Sequence, residues 1–179
     1  LMKAPFYDPN PVLLLEHKGL YWSKIKGTEK ARTIEPSEDY VIPLGKARLV
    51  RAADAAPGSC CILTYGMGVY WAMQATKDIE EKVEILDLRS LLPLDEEAVR
   101  NSIRKHNRCL IVTEEPALNS FARNLAGWAQ EQCFTSLDAP IRVIGAENMP
   151  AIPLNSTLEQ TMLPNAEKVR KVLDELRAF

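Results

Sequence analysis

From residue 45 onward, short continuous apolar runs alternate with stretches whose apolar residues recur at three- and four-residue spacing. The runs are Ala47 to Val50, Cys60-Cys61-Ile62-Leu63-Thr64, Val83 to Leu88, Cys109-Leu110-Ile111-Val112 and Ile141-Arg142-Val143-Ile144. Runs this short, bounded by turn signals such as Ala56-Pro57-Gly58, predict buried strands. Between them, Val69, Ala72, Met73, Thr76 and Ile79 share one helical face. So do Ala98, Val99 and Ile103, and then Phe121, Leu125, Trp128, Ala129 and Cys133. Pro93-Leu94-Asp95 opens the second of these helices. Asp95 is its expected N-cap, with Glu96 and Glu97 in the first turn, where the helix dipole favours negative charge. Pro164-Asn165 precedes a last helix whose inner face is Val169, Val172, Leu173 and Leu176. Strands that are apolar throughout require cover on both faces. Strand–helix alternation with right-handed crossovers then predicts an α/β fold, a three-layer α/β/α sandwich with a mostly parallel sheet.

The first 44 residues read differently. Val12-Leu13-Leu14-Leu15, after Asp8-Pro9-Asn10-Pro11, predicts one more buried strand entered through a turn. Residues 19–44 lose periodicity and interleave Lys24, Lys26, Lys30 and Arg32 with Gly27, Thr28, Glu29 and Glu35. This predicts a polar linker between domains, a solvated connector rather than a phosphate site. The start, Leu1-Met2-Lys3-Ala4-Pro5, lacks the apolar core of a signal peptide and places methionine second, as in a piece cut from a longer polypeptide.

Composition narrows the function classes. Lys+Arg is 22 against Asp+Glu 24, a net charge of -2. No strong field draws nucleic acid or an anionic membrane to such a chain. No apolar run approaches the ~20 residues that span a bilayer. The cysteines, Cys60, Cys61, Cys109 and Cys133, form no C-x-x-C pair, and His17 and His106 lie far apart. Structural zinc is therefore not expected, and the thiols read as free and buried in a reducing cytoplasm. Asn155-Ser156-Thr157 matches a glycosylation pattern that has no consequence in that compartment.

Ligands of open parallel sheets favour the carboxyl ends of strands. Those ends carry Tyr65-Gly66-Met67-Gly68, Asp87-Leu88-Arg89, Thr113-Glu114-Glu115 and Gly145-Ala146-Glu147. Gly66-x-Gly68 with Asp87 ending the next strand suggests a dinucleotide fingerprint. Trp71 occupies the third glycine position, however, and favours a simple tight turn in which glycine permits positive φ. Adjacent Glu114 and Glu115 point to opposite sides of an extended segment and make a poor carboxylate pair. Arg89 reads as pairing with Asp87, Asp95 or another chain. His106 complements the dipole at a helix end. His17 has no partner visible in the sequence.

Ordered strings then carry a resemblance. Asn10-Pro11-Val12-Leu13-Leu14-Leu15-Glu16-His17-Lys18-x-Leu20-Tyr21 resembles the end of the pyrimidine-binding domain in β-type subunits of thiamin-diphosphate-dependent 2-oxo acid dehydrogenases. Tyr40-Val41-Ile42-Pro43-Leu44-Gly45-Lys46-Ala47 resembles the entry to their C-terminal, transketolase-like domain. Thr64-Tyr65-Gly66-Met67-Gly68-Val69, Leu86-Asp87-Leu88-Arg89-Ser90-Leu91-x-Pro93-Leu94-Asp95, Glu114-Glu115-Pro116, Glu131-Gln132-Cys133-Phe134, Leu137-Asp138-Ala139-Pro140-Ile141-Arg142 and Leu163-Pro164-Asn165 follow in order. The family's His-Glu-Ala-Pro and Thr-Gly-Gly-Phe strings stand here as Thr113-Glu114-Glu115-Pro116 and Leu118-Asn119-Ser120-Phe121, and Tyr70 replaces a frequent histidine. These departures point to a subgroup, such as one with α- and β-type parts fused.

The resemblance implies residues 1–22 as a remnant of the pyrimidine-binding domain, 23–44 as linker and 45–179 as the C-terminal domain. It implies an oxidoreductase that uses thiamin diphosphate and magnesium, decarboxylates a 2-oxo acid and passes the acyl group to a lipoyl arm. The magnesium-diphosphate motif and the activating glutamate belong to other domains. This chain is thus expected to hold no catalytic residue, cofactor or metal and to be inactive alone. What remains is assembly with the α-type part and other domains, a homodimer, and docking of the dihydrolipoyl acyltransferase core through Asp138 and the carboxylate of Phe179. The alternatives that share parts of the pattern are a transketolase, a deoxyxylulose-phosphate synthase and a stand-alone nucleotide-binding module.

Overall fold

Each expected run from residue 48 onward pairs into one sheet. The computed structural model describes residues 1–22 and 25–179. Its strands are β1 (Arg48–Arg51), β2 (Cys60–Thr64), β3 (Val83–Asp87), β4 (Cys109–Pro116) and β5 (Arg142–Ala146). Their spatial order is β1-β3-β2-β4-β5. The last four run parallel, and β1 closes one edge antiparallel to β3. The helices are α1 (Ala4–Tyr7), α2 (Lys18–Tyr21), α3 (Gly68–Ala75), α4 (Glu96–His106), α5 (Phe121–Cys133), α6 (Ser156–Met162) and α7 (Ala166–Arg177).

Alternation along each strand sorts the side chains into two cores. Cys61, Leu63, Leu86, Cys109 and Ile111 face α4 and α5, meeting Val99, Ile103, Ala122, Leu125 and Ala129. Cys60, Ile62, Val83, Ile85, Leu110 and Val112 face α3 and α7, meeting Ala72, Ala75, Val169, Leu173 and Leu176. The result is the expected α/β/α sandwich. All four cysteines are buried and free.

Capping follows local sequence. Asp95 accepts from Ala98 N at 3.3 Å and, through Oδ2, from Ala47 N at 3.0 Å, so one side chain starts α4 and fixes the approach to β1. Ser120 caps α5, Asn165 caps α7, and Asn155 caps α6 by accepting from Thr157 N and Leu158 N. Asn107 ends α4 in the left-handed region at φ 61°. At the strand-to-helix turn, Gly66 takes φ +56°. Gly68 is needed for a different reason: a Cβ there would run into Thr64 Oγ1 and crowd Val112 O.

Several expectations are corrected. Val12–Leu15 is not a buried strand; the run is non-regular and its side chains are exposed, Leu13 at 90%. No strand among the described residues pairs with it, and an extended apolar run without a ladder partner has nowhere to bury. Ser23 and Lys24, the first residues of the expected linker, lie outside the described residues. The α3 helix stops at Ala75 because Thr76 turns its hydroxyl back to Ala72 O at 2.7 Å and also binds the Arg51 guanidinium. Ile79 therefore falls past the helix. Arg89 forms no ion pair with Asp87 or Asp95: it adopts φ +57°, and its backbone N donates to Asp87 Oδ1 at 3.1 Å.

His106 stands in the last turn of α4, as expected, but has further partners that the sequence did not disclose. It is buried, with Nδ1 3.0 Å from Ser59 Oγ and Nε2 3.3 Å from Glu84 Oε2. Glu84 is the buried carboxylate of β3, whose other acid, Asp87, stands at the strand's end. Ser102 Oγ and Lys105 Nζ donate to it at 2.7 and 2.9 Å. Burial alone raises a carboxyl pKa, but the bonds from His106, Ser102 and Lys105 outweigh burial and hold Glu84 at about 2.

This sets a pH dependence. The folded pKa lies below the ordinary 4.5, so the stabilisation is full above about pH 4.5 and is lost as pH falls through 2. The difference corresponds to about 3 kcal/mol. Glu84→Gln is expected to cost roughly that much at pH 7 in chemical denaturation, and the deficit should narrow by about 2 kcal/mol at pH 3. A deficit that stays constant between the two pH values would contradict this assignment.

Candidate functional site at the two ends of the sheet

From β2 the chain crosses to β3 on one side and then returns past β2 to β4. The carboxyl ends of β2 and β4 therefore flank the topological switch point, the usual crevice of an open parallel sheet. Here it is filled by a polar clamp. Tyr65 OH donates to Glu115 Oε1 at 2.6 Å and lies 2.8 Å from Thr113 Oγ1. Ala122 N, at the start of α5, donates to the same carboxylate oxygen at 3.4 Å. The Tyr65 ring meets Phe121 edge to face, centroids 6.0 Å apart. Burial and then the Glu115 bond push the Tyr65 phenol well above its ordinary range, so it keeps its proton and acts as a fixed donor. Trp71 is half-buried against the α3–α7 core. Gly66 faces open space, but Gly68 is packed against Thr64 Oγ1 and Val112 O and leaves no room at the second fingerprint position.

Glu114 points the other way, as adjacent residues on a strand must. His17, for which the sequence offered no partner, meets it: Nε2 lies 2.8 Å from Glu114 Oε2. This contact spans 97 residues and ties the start of α2 to the end of β4. Only the close approach of two distant segments creates it, so no local signal could have revealed it.

Beyond these carboxylates lies a cleft of about 450 Å³. Glu114, Glu115 and Pro116 form one wall, the loop from Met149 to Ile152 another, and Glu159, Met162 and Leu163 of the α6 region the third. Gly145 allows the strands to meet here, since a Cβ on it would press on Glu115 O at 2.5 Å. The α6 wall is pinned by an ammonium group. Lys168 Nζ donates to Thr161 O at 2.6 Å, Leu163 O at 2.7 Å and Gln160 O at 3.4 Å. One cation thereby satisfies the orphan carbonyls at the end of α6.

The opposite end of the sheet carries the residues expected to dock a partner. Asp138 is half-exposed and its Oδ2 lies 3.1 Å from Arg108 Nη1, while its backbone N donates to Asn107 O at 2.9 Å. The carboxylate is thus held by the chain's own guanidinium, which the sequence did not disclose. Helix α7 ends at the same level, with Arg177 Nε donating to Gly58 O at 2.9 Å, and Phe179 follows exposed at 64%. The structure places Asp138 and Phe179 at one end of the fold without bringing either to a catalytic constellation.

The donor set does not fit a magnesium diphosphate. The carboxyl-end cleft presents carboxylates and no lysine or arginine, which repels rather than holds a diphosphate. Among the described residues, no three of His, Cys, Asp and Glu are grouped to hold a metal, and no helix is long and apolar enough to cross a membrane.

The sheet is mixed with one antiparallel edge; α3 crosses one face, α4 and α5 cross the other, and the terminal helix α7 packs beside α3. Residues 45–169 match the profile of the transketolase C-terminal domain, and the chain belongs to that family. Along its whole length it is similar to β subunits of 2-oxo acid dehydrogenases. It is 36% identical to the 2-oxoisovalerate dehydrogenase subunit beta of Bacillus subtilis, covering 100% of this chain and 52% of that protein. It is 34% identical to the pyruvate dehydrogenase E1 component subunit beta of Rhizobium meliloti, over 99% of this chain and 36% of the relative. The acetoin:2,6-dichlorophenolindophenol oxidoreductase subunit beta of Bacillus subtilis is 35% identical, over 98% and 48%. The chain thus spans about half or less of the length of these relatives. A solved structure titled as a split gene transketolase in an inactive β4 tetramer superposes with a TM-score of 0.63 at 17% identity, covering 79% of this chain and 45% of that one, and supports the fold alone.

The Lys168 anchor gives a direct test of the cleft wall. Lys168→Met is expected to speed amide exchange across residues 157–163 about tenfold, equivalent to about 1.4 kcal/mol of local opening, while protection in β2 and β4 changes little. Hydrogen exchange read by mass spectrometry checks it, and uniform loss of protection would contradict a local anchor.

Proposed function

We propose that this chain is the C-terminal domain of the β-type part of a thiamin-diphosphate-dependent 2-oxo acid dehydrogenase, and that it works in assembly and docking rather than in bond chemistry. The observation that carries this reading is end-to-end similarity to β subunits of that enzyme class, at 36% and 34% identity to the two dehydrogenase relatives named above. Residues 45–179 form the domain itself, 23–44 a linker, and 1–22 the end of the pyrimidine-binding domain. The exposed Leu13 and Leu15 suit that last assignment, because a strand lifted from its own sheet keeps its apolar side chains without their cover. Thiamin diphosphate and magnesium are held by other parts of the enzyme, which is cytoplasmic in this reading.

Three partners follow: the α-type part, a second copy in a dimer, and the acyltransferase core. Docking of the core uses Asp138 and the Phe179 carboxylate against a basic module. Arg108 tempers this surface, since an incoming cation must share Asp138 with it. The exposed apolar residues at the chain's start support burial against other subunits.

Calorimetric titration with the small subunit-binding domain of the acyltransferase core from the same organism tests the docking role. Saturable binding is expected, weakened about tenfold by Asp138→Ala, consistent with loss of one charge-assisted contact. Removal of Phe179 should weaken it also. Absence of binding would remove docking and leave the family assignment intact. Turnover of any 2-oxo acid by the chain with added thiamin diphosphate and magnesium would overturn the assignment of catalysis to other domains.

A further inference from the structure

The carboxyl-end cleft is not used by the proposed docking surface, which lies at the other end of the parallel strands. Its volume, about 450 Å³, is that of a ligand site rather than a packing defect. Its chemistry is one-sided. Carboxylates come from Glu114, Glu115 and Glu159, the remaining lining is aliphatic, proline or methionine, and no lysine or arginine lines it. Glu114 is already bonded to His17 and Glu115 to Tyr65. Among the described residues the Glu159 carboxylate has no hydrogen-bond or ion-pair partner, although its residue is half-buried.

The surroundings choose between a small molecule and a chain segment. The apolar surface does not stop at the cleft. Ile152 at 64%, Leu154 fully exposed and Leu158 at 56% continue it along the loop and the outer side of α6. Leu118, at 60%, follows the opposite wall. A small ammonium compound would satisfy Glu159 and leave this rim wet. An extended peptide with one basic side chain between aliphatic ones would answer both the carboxylate and the rim. The long stem of such a side chain also suits a Met- and Ile-lined wall. The wall is firm enough to serve, because Lys168 locks the end of α6 through three carbonyls.

We propose that this cleft binds a peptide segment carrying an arginine or lysine flanked by aliphatic residues, with Glu159 as the anion that receives the cation. The inference stands apart from the dehydrogenase reading, since it rests on the cleft alone.

The test is a titration of the intact chain, followed by amide NMR, with a capped heptapeptide holding one arginine among leucines. A second peptide with glutamate replacing the arginine serves as control. Saturable shifts confined to residues 114–118 and 149–163 are expected with the arginine peptide only. Glu159→Gln should weaken binding about fivefold, as expected for loss of one partly screened charge pair. Ile152→Ser should weaken it too, and Glu175→Gln on the far helix should not. Circular dichroism confirms folding of each variant. Equal binding of both peptides, shifts elsewhere, or indifference to Glu159→Gln would overturn the proposal. So would sedimentation showing that a second copy of the chain fills the cleft and that Glu159→Arg abolishes this self-association.

Discussion

The structure depends on β2 having no exposed face. All five of its residues are buried, and its backbone is bonded to β3 on one side and β4 on the other. A strand in that position has to be covered above and below, so the chain must supply two helical layers and cannot settle for a half-open sheet. Cys61 and Leu63 require α4 and α5; Cys60 and Ile62 require α3 and α7. The glycine turn is a consequence of this. Helix α3 begins directly against Thr64, whose hydroxyl donates to Val112 O at 2.9 Å, and only a residue without Cβ fits at position 68. The Gly-x-Gly signal that suggested a nucleotide thus has a packing cause, and the helix start it creates is spent on closeness rather than on a phosphate.

How much of this was legible follows from the range of the forces involved. Continuous apolar runs and three-to-four spacing are local, and they located the sheet, α3 to α5 and α7, while residue type gave the cap Asp95. Val12–Leu15 carries the same local signal and misled, because a strand exists only when a neighbour supplies its ladder. The partners of the buried Glu84 carboxylate in β3 were invisible for a related reason. Glu84 is tolerated there because Ser102, Lys105 and His106 come from one face of α4, and without them burial would cost several kcal/mol. Asp138 and Phe179, the residues proposed for docking, rest on resemblance alone. The Arg108 guanidinium on Asp138, His17 on Glu114 and the Lys168 carbonyl cage all join segments distant in sequence or close only through a turn, and no periodicity encodes them.

The two ends of the sheet have opposite electrostatic character. At the amino end, Arg108 and Arg177 stand beside the strand starts, and the Asp138 carboxylate is already paired with the first of them. At the carboxyl end, acids accumulate and the available donors are mostly uncharged: a phenol, a threonine hydroxyl and the start of α5. The cleft at that end has no lysine or arginine in its lining.

Glu114 and Glu115 show how one strand end can serve two purposes. Strand geometry turns neighbouring side chains to opposite faces, so a pair of acids in sequence is never a pair in space. Glu115 turns inward and locks the switch point through Tyr65, which fixes β2, β4 and α5 against one another. Glu114 turns outward and receives His17, which fixes the chain's first segment to the same strand. A movement of that segment would pull on Glu114 and hence on the backbone that positions Glu115. The adjacent acids thus tie the leading segment and the core to one strand end, which also forms one wall of the cleft.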